Sequence, residues 1–273
     1  MAHIRHRASN TVPTHLCWWQ WPNILALDAV FIAVIWQHWL GYPGVAGSLV
    51  LGLSVWLTYT ADRWMDVRGL PADRIVTDRH RFARRWEKEL IIVWGAVLVA
   101  DITLSLTGLS GAQFGAGLCL LALCIAYSIA VHRHLRIPKE LLVAAIFTAG
   151  TGLYPLSGNH LPLRAAGLAA LFLLAFANCS LIAFRERHID GQMGRTSLAR
   201  QHPRSRPWAF RGLLVAAVLG LVMAFGHSPQ YLMVSVCAAG MFALGMVAER
   251  LSPEFFRVLA DGLLLLPVLC LLF

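Results

Sequence analysis

Long apolar stretches alternate with short polar connections along almost the whole chain. A helix needs about 20 apolar residues to cross a bilayer, and nine stretches are roughly that long. They cover about 21–40, 44–61, 89–109, 112–131, 140–158, 163–184, 208–226, 229–248 and 254–272. The pattern therefore predicts an all-α, polytopic membrane protein. Its nine transmembrane helices would form a single domain over residues 1–273, as a bundle around a central cavity.

The composition supports a membrane-embedded chain. Hydrophobic residues make up 58% of the sequence and charged residues only 14%, against about 25% charged residues in typical soluble domains. A net charge of +9 could suit nucleic acid, but the basic residues lie in the connections between apolar stretches. Orientation in the membrane explains them more simply, so we expect a lipid bilayer around the chain and no nucleic-acid partner.

The basic residues are distributed asymmetrically. Of the 23 Lys and Arg residues, all except Arg164 fall in the N-terminal segment, in alternate connections or at their borders. Because basic residues accumulate on the cytoplasmic side of membrane proteins, this predicts a cytoplasmic N-terminus. It also predicts that two long polar segments, about 58–88 and 178–207, reach into the cytoplasm. We expect the protein in a bacterial inner membrane.

Two acidic pairs stand at the ends of apolar stretches on this predicted cytoplasmic side. Asp62 and Asp66 are four residues apart, which places both carboxylates on one face of a helix. Glu186 and Asp190 repeat this spacing after another apolar stretch. Carboxylates at a membrane helix end are costly to desolvate, and Mg²⁺ binds a few carboxylates together with substrate phosphates. We therefore predict that these four acids are metal ligands and catalytic residues.

A structural alternative is that the acids form salt bridges at the membrane interface. The candidate partners are the neighbouring Arg63, Arg68, Arg185 and Arg187. One acidic pair alone would favour this explanation. Two pairs in equivalent places on one side favour the metal site instead.

Other polar residues could contact a substrate or support the fold. Asn178 lies about two helical turns before Glu186 and could bind substrate or hydrogen-bond a neighbouring helix. Arg79, Arg81 and Lys139 could clamp phosphate oxygens, although cytoplasmic loops are generally basic. Three further acids lie deeper in apolar stretches, as a proton-linked transporter would require: Asp28, Asp101 and Asp261.

These motifs resemble those of the UbiA superfamily of intramembrane prenyltransferases. The first family motif has the form Asn-Asp-x-x-Asp-x-x-x-Asp, and its second half is similar to Asp62-Arg-Trp-Met-Asp66. Thr58 and Tyr59 stand where the family has Asn and Asp. A following Thr-x-x-Arg-Pro-like stretch is similar to Thr77-Asp-Arg-His-Arg-Phe82.

The second family motif resembles residues near the end of the sixth apolar stretch. Asn178, the run from Glu186 to Asp190, Gly194 and Ser197-Leu-Ala199 match it in order, with Glu186 in place of Asp. The Tyr and basic residue that the family has after its fourth helix are similar to Tyr127 and Lys139.

The resemblance implies Mg²⁺-dependent transfer of an isoprenyl group from an allylic diphosphate to an aromatic or other lipophilic acceptor. It implies Mg²⁺ at the four acids, and substrate contacts from six other residues: Asn178, Arg63, Arg79, Arg81, Tyr127 and Lys139. Two alternatives remain open at this point. A membrane terpene cyclase of the same superfamily would ionise the diphosphate without an acceptor, whereas a non-enzymatic transporter or scaffold would depend on the deeper acids.

Overall fold

The structure is a computed structural model that describes residues 16–42, 44–133, 137–154 and 161–272. Within these ranges the chain is helical and contains no strand, so the all-α prediction is confirmed. The α-helices are α1 (Trp21–Ile24), α2 (Leu27–Trp39), α3 (Val45–Val67), α4 (Asp78–Arg85), α5 (Glu87–Gly108), α6 (Gly111–His132), α7 (Lys139–Gly152), α8 (Leu161–Gln192), α9 (Leu198–Gln201), α10 (Arg206–Gly226), α11 (Leu232–Met246) and α12 (Pro253–Leu264).

Several of these helices are suited to cross a membrane. Among the described residues six are long and apolar enough: α3, α5, α6, α8, α10 and the stretch Pro229–Met246, which contains α11. A seventh crossing results if Trp18–Ile24 and Leu27–Trp39, which meet at 75°, form one span. The prediction of a multi-span, membrane-embedded chain is confirmed at this level.

Two of the nine predicted spans are shorter helices in the structure. The predicted spans 140–158 and 254–272 coincide with α7 and α12, which have 14 and 12 residues. Pro267 follows the end of α12 closely, and its missing N–H cannot continue an α-helix. The end of the fifth predicted span (155–158) and the predicted cytoplasmic N-terminus lie outside the described residues.

The bend between α1 and α2 is stabilised by polar contacts. Ala26, at the break, has a left-handed backbone with φ 59°, a conformation that costs a residue with a Cβ about 1–2 kcal/mol. The Asn23 side chain crosses the break and donates to Asp28 Oδ2 at 2.7 Å. The bend thus places Asp28 at the start of α2, where its carboxylate also accepts the Ala29 N–H.

Helix α8 forms the centre of the bundle, in contact with α7, α9, α10, α11 and α12. Leu171 and Leu174 on its surface are fully buried, and they belong to the same core as Trp36 and Tyr231. The Trp36 indole donates to the backbone carbonyl of Leu264 at 3.0 Å, which joins α2 to the end of α12. This core fixes the positions of α2, α8 and α12 relative to one another.

Helices α5 and α6 lie at the periphery of the bundle. Almost none of their apolar surface is buried inside the protein. Exposed side chains such as Ile92, Val99 and Leu121 would be unfavourable in water. Lipid is the environment in which this apolar surface is stable.

The two polar segments that carry the acidic motifs begin as continuations of the preceding helices rather than as loops. Helix α3 continues to Val67 and α8 to Gln192, six and eight residues beyond the predicted spans. The acidic pairs therefore lie within the last turns of two long helices. Helix α4 packs against α1 and α3, and the short α9 packs against α8, so both segments fold back towards the bundle.

Candidate functional site

One cavity of about 210 Å³ receives all four predicted metal-binding acids. Asp62 and Asp66 reach it from α3, and Glu186 and Asp190 reach it from α8. The spacing of four residues places both members of each pair on the cavity side of their helix. The cavity is also lined from α2, α4, α7 and α12, so it lies where the ends of several helices meet.

Glu186 is held by two arginines. Arg79 of α4 donates to its two carboxylate oxygens at 3.4 and 3.0 Å, and Arg257 of α12 donates at 3.1 and 2.5 Å. The Glu186 side chain is 5% exposed. Two bidentate guanidinium contacts on one buried carboxylate are strong charge-assisted hydrogen bonds, and they join α4, α8 and α12 at the cavity.

Asp66 belongs to a second charged cluster. Its Oδ2 lies 2.5 Å from the guanidinium of Arg195, and the same guanidinium donates to His80 Nε2 at 2.7 Å. Arginine can only donate, so Nε2 of His80 carries no proton. The other ring nitrogen, Nδ1, then carries the proton and donates to the Thr77 hydroxyl. His80 is therefore neutral in this arrangement.

The electrostatics of His80 agree with that assignment. Burial, followed by the positive charges of Arg195 and Arg79, lowers the pKa of His80 well below its usual 6.5. Lys139, the first residue of α7, has the opposite shift. The negative charge of Asp62, followed by that of Asp66, raises the pKa of Lys139 against the effect of burial. The cavity thus keeps a fully charged lysine beside a neutral histidine.

Helix α7 also anchors the segment after the second acidic pair. Both carboxylate oxygens of Glu140 accept the backbone N–H of Leu198 at 2.9 Å. Leu198 is the first residue of α9, where a free N–H would otherwise lack an intrahelical partner. This contact draws the residues 195–197 to the cavity wall.

Two amide–carboxylate pairs belong to the wall of the cavity. Asn178 on α8 donates to Asp261 on α12 at 2.8 Å, and Asn23 donates to Asp28. All four side chains line the cavity. The sequence left open whether Asn178 binds substrate or hydrogen-bonds a neighbouring helix. The structure shows a hydrogen bond to α12, and this bond lies on the wall of the cavity.

Most predicted substrate-binding residues line the cavity, but two do not. Arg63, Arg79, Lys139 and Asn178 are part of its wall. Arg81 instead donates to the Ile75 carbonyl and lies 3.6 Å from Asp78, on the outer side of α4. Tyr127 of α6 is outside the wall, with its hydroxyl buried.

The salt-bridge alternative predicted the wrong arginines. Arg63 donates to the Ile24 carbonyl, and Arg185 donates to the carbonyls of Ala248 and Leu251. Arg68 and Arg187 lie over the rings of Trp64 and Phe184. Glu186 and Asp66 do form ion pairs, but with arginines distant in sequence. Residues adjacent in a helix point in different directions, so a neighbouring Arg cannot easily reach the acid beside it.

Several residues of the cavity escaped the sequence argument: His80, Glu140, Arg195 and Arg257. A signal existed for Arg257, because it precedes Asp261 by four residues within an otherwise apolar stretch. Two opposite charges at this spacing share a helix face. No comparable pattern distinguished Arg195 from the other basic residues of its segment.

Comparison of the chain with models of known protein families, with curated proteins and with solved structures finds no match.

Proposed function

We propose that this chain is an intramembrane prenyltransferase of the UbiA type, acting on an allylic isoprenyl diphosphate. One observation carries the proposal. Four motif acids and five permanent cations converge on one cavity in an apolar helical bundle. The cations are Arg63, Arg79, Lys139, Arg195 and Arg257. A site for a diphosphate attached to an apolar tail requires this combination of charge and surroundings.

The arginines offer the contacts that a diphosphate needs. Guanidinium groups bind phosphate and carboxylate in the same bidentate manner. Arg79 and Arg257 both make such contacts to Glu186, so this carboxylate occupies the position that a phosphate oxygen pair would take. A bound diphosphate would compete with Glu186 for the two guanidinium groups and would release its carboxylate towards the cavity.

The donor set suits Mg²⁺ when the substrate supplies the remaining oxygens. The described residues contain no preformed group of three or more metal-binding side chains. Mg²⁺ is commonly held by one or two carboxylates and substrate phosphates rather than by a protein cage. Asp62, Asp66 and Asp190 would hold the ion, with Glu186 joining them once the arginines are engaged. The ion would neutralise the negative charge that develops on the departing diphosphate.

The apolar part of the wall would hold the prenyl chain and exclude water. It includes Ile32, Val143, Phe147 and Ile182. The bond between the allylic carbon and the diphosphate oxygen breaks, and its electron pair leaves with the diphosphate. The guanidinium groups and Lys139 stabilise that charge. Electrons of the acceptor then form the new carbon–carbon bond, and a proton is lost.

The proposal includes the membrane arrangement expected from the sequence. Nine spans, with α7 and α12 contributing the two short ones, would place the cavity mouth at the cytoplasmic surface of a bacterial inner membrane. The charge asymmetry supports this orientation, in which a diphosphate from the cytoplasm reaches the cavity without crossing the bilayer.

The test is an assay of the purified full-length chain with C10, C15 and C20 allylic diphosphates and Mg²⁺, with and without membrane lipid extract. We expect diphosphate release, and a fall of at least about 100-fold in Asp66→Ala and Asp190→Ala. Asp101→Asn is the matched control, because Asp101 is a membrane-helix acid bound to Ser54 outside the cavity. It should retain the wild-type rate.

The products distinguish the two enzymatic reactions. A prenylated compound formed only with extract indicates transfer, whereas a cyclic product from the diphosphate alone indicates a terpene cyclase. Wild-type rates in both Asp66→Ala and Asp190→Ala would refute the metal assignment. Absence of diphosphate release with every substrate would refute the prenyltransferase proposal.

A further inference from the structure

The polar segment that leads into α10 is basic and contains no acid. Residues 191–248 include five arginines but no Asp or Glu. Two of the five are engaged by the protein itself, because Arg195 pairs with Asp66 and Arg206 donates to a backbone carbonyl of α11. The remaining positive charge at the start of α10 therefore has no acidic residue of its own segment to compensate it.

Arg204 and Arg211 are the outward cations of this region. Both are exposed, and neither guanidinium group makes a hydrogen bond or ion pair within the described part of the chain. Arg204 lies in the turn before α10, and the ring of His202 in this turn lies 6.0 Å from that of Trp208. Trp208 is 46% exposed. In the sequence, the two uncompensated cations flank an exposed tryptophan.

Trp208 and Arg211 belong to the outward face of α10. Exposed valines follow them at intervals of three or four residues, at Val215, Val218 and Val222. Such spacing places all five side chains on one face of the helix, and the buried residues of α10 lie on another face. Because α10 is long and apolar enough to cross a membrane, the valine face is stable against lipid acyl chains.

Arg211 lies at the level where lipid head groups begin. It is five residues after Arg206, the first residue of α10, which corresponds to about 7.5 Å along the axis. Helical side chains tilt towards the N-terminus of their helix, so the long side chain of Arg211 can extend back to the polar end. Tryptophan is enriched at this same level of a membrane. Arg204, Trp208 and Arg211 thus meet the head-group layer together.

We infer that Arg204, Trp208 and Arg211 form a binding site for an anionic phospholipid of the surrounding membrane. The lipid phosphate would accept hydrogen bonds from the two guanidinium groups. One acyl chain would lie along the valine face of α10, and Trp208 would pack at the level of the glycerol. Charge complementarity favours the anionic lipid, because a zwitterionic head group brings its own cation to a surface without an acid. The inference is independent of the proposed reaction.

The start of α5 provides a comparison within the same chain. Arg84, Arg85 and Trp86 are exposed there, at the start of another apolar helix. Glu87 and Glu89 follow at once, and Arg84 lies 3.6 Å from Glu87. Acids therefore compensate the cations at this position. We expect it to bind anionic lipid no better than zwitterionic lipid.

The test is a lipid titration of the detergent-solubilised full-length chain, in which native mass spectrometry counts the bound lipids. Phosphatidylglycerol is the anionic probe and phosphatidylcholine is the zwitterionic probe. The wild-type chain is compared with the double variant Arg204→Gln/Arg211→Gln and with both single variants. The matched control is Arg84→Gln/Arg85→Gln. Each double variant removes two exposed positive charges, so the two variants have the same net charge.

We expect the wild-type chain to bind phosphatidylglycerol at least about tenfold more tightly than phosphatidylcholine. The Arg204→Gln/Arg211→Gln variant should lose at least about tenfold in affinity for phosphatidylglycerol, because each basic residue contributes about fivefold at an anionic surface. Each single variant should show an intermediate loss. The Arg84→Gln/Arg85→Gln variant should stay within about twofold of the wild-type affinity, since its acids already compensate these charges.

Equal losses of affinity in the two double variants would overturn the inference, because net charge rather than this surface would then attract the lipid. Equal affinity of the wild-type chain for both lipids would also overturn it. So would a dimer in the mass spectrum that Arg204→Gln/Arg211→Gln abolishes, because a second copy of the chain would then occupy the surface. If that double variant does not fold, the single variants decide by the same comparison with the α5 control.

Discussion

Removing the Glu186 carboxylate should destabilise the protein far more than removing an exposed charge. The Glu186→Ala variant leaves the guanidinium groups of Arg79 and Arg257 facing each other without their shared anion. The side chains of the three residues are only 5%, 10% and 19% exposed, so water can replace little of what is lost. Both arginines also connect separate helices to α8 through this one carboxylate.

The expected loss follows from the burial. Breaking a buried ion pair by removing one partner costs about 3–5 kcal/mol. For a chain of this size, 1 kcal/mol shifts the melting temperature by about 2–4 °C, so the shift should be about 6 to 20 °C. Arg84→Ala is the matched control. Its pair with Glu87 has 46% and 32% exposed side chains, and such surface pairs contribute about 0–1 kcal/mol.

The measurement is thermal unfolding of both variants in the same detergent, with and without inorganic diphosphate. Diphosphate should recover part of the stability of Glu186→Ala, because it restores an anion between the guanidinium groups and binds the folded state. A difference of less than about 2 °C between the melting temperatures of Glu186→Ala and Arg84→Ala corresponds to about 1 kcal/mol or less. Such a small difference would contradict the argument that Glu186 belongs to a buried ion pair.

Three further predictions concern pH, packing and metal. The folded pKa of His80 lies well below 6.5, so the unfolded chain binds the proton first as the pH falls. Stability should therefore decrease from about pH 6.5 to pH 5 by up to about 1.4 kcal/mol per unit, and an equal slope in His80→Gln would contradict this. Gly220→Ala should destabilise the chain by about 1–3 kcal/mol, because the added Cβ would lie 2.5 Å from Ser235 Oγ and 3.0 Å from a backbone carbonyl oxygen. Gly117→Ala is the control: its Cβ would enter open space, so thermal unfolding should show a neutral or stabilising effect. Chelation of divalent cations should abolish diphosphate release by the full-length chain, and added Mg²⁺, but not Na⁺, should restore it. Diphosphate release that persists in the presence of chelator would contradict the assignment of the four acids as Mg²⁺ ligands.

The helical, membrane-embedded character was predictable because it depends on the local pattern. Each apolar stretch is long enough to require a helix in lipid, whatever its neighbours are. The spacing of Asp62 and Asp66 likewise fixes their shared helix face without reference to the rest of the chain. Exact helix lengths were less predictable: α7 and α12 are shorter than their apolar stretches, and α3 and α8 continue past theirs. Capping, proline and tertiary contacts decide where helices end, and hydropathy does not contain this information.

The composition of the candidate site depended on tertiary structure. The sequence alone determined that this chain is helical, apolar and charged asymmetrically, and that its acids come in pairs at helical spacing. Only the fold decided that Glu186 meets Arg79 and Arg257, and that Asn178 meets Asp261. The physical reason is that charge partners in a helical bundle are chosen by which faces pack together. Those faces are set by the burial of residues such as Trp36 and Leu171 far from the charges.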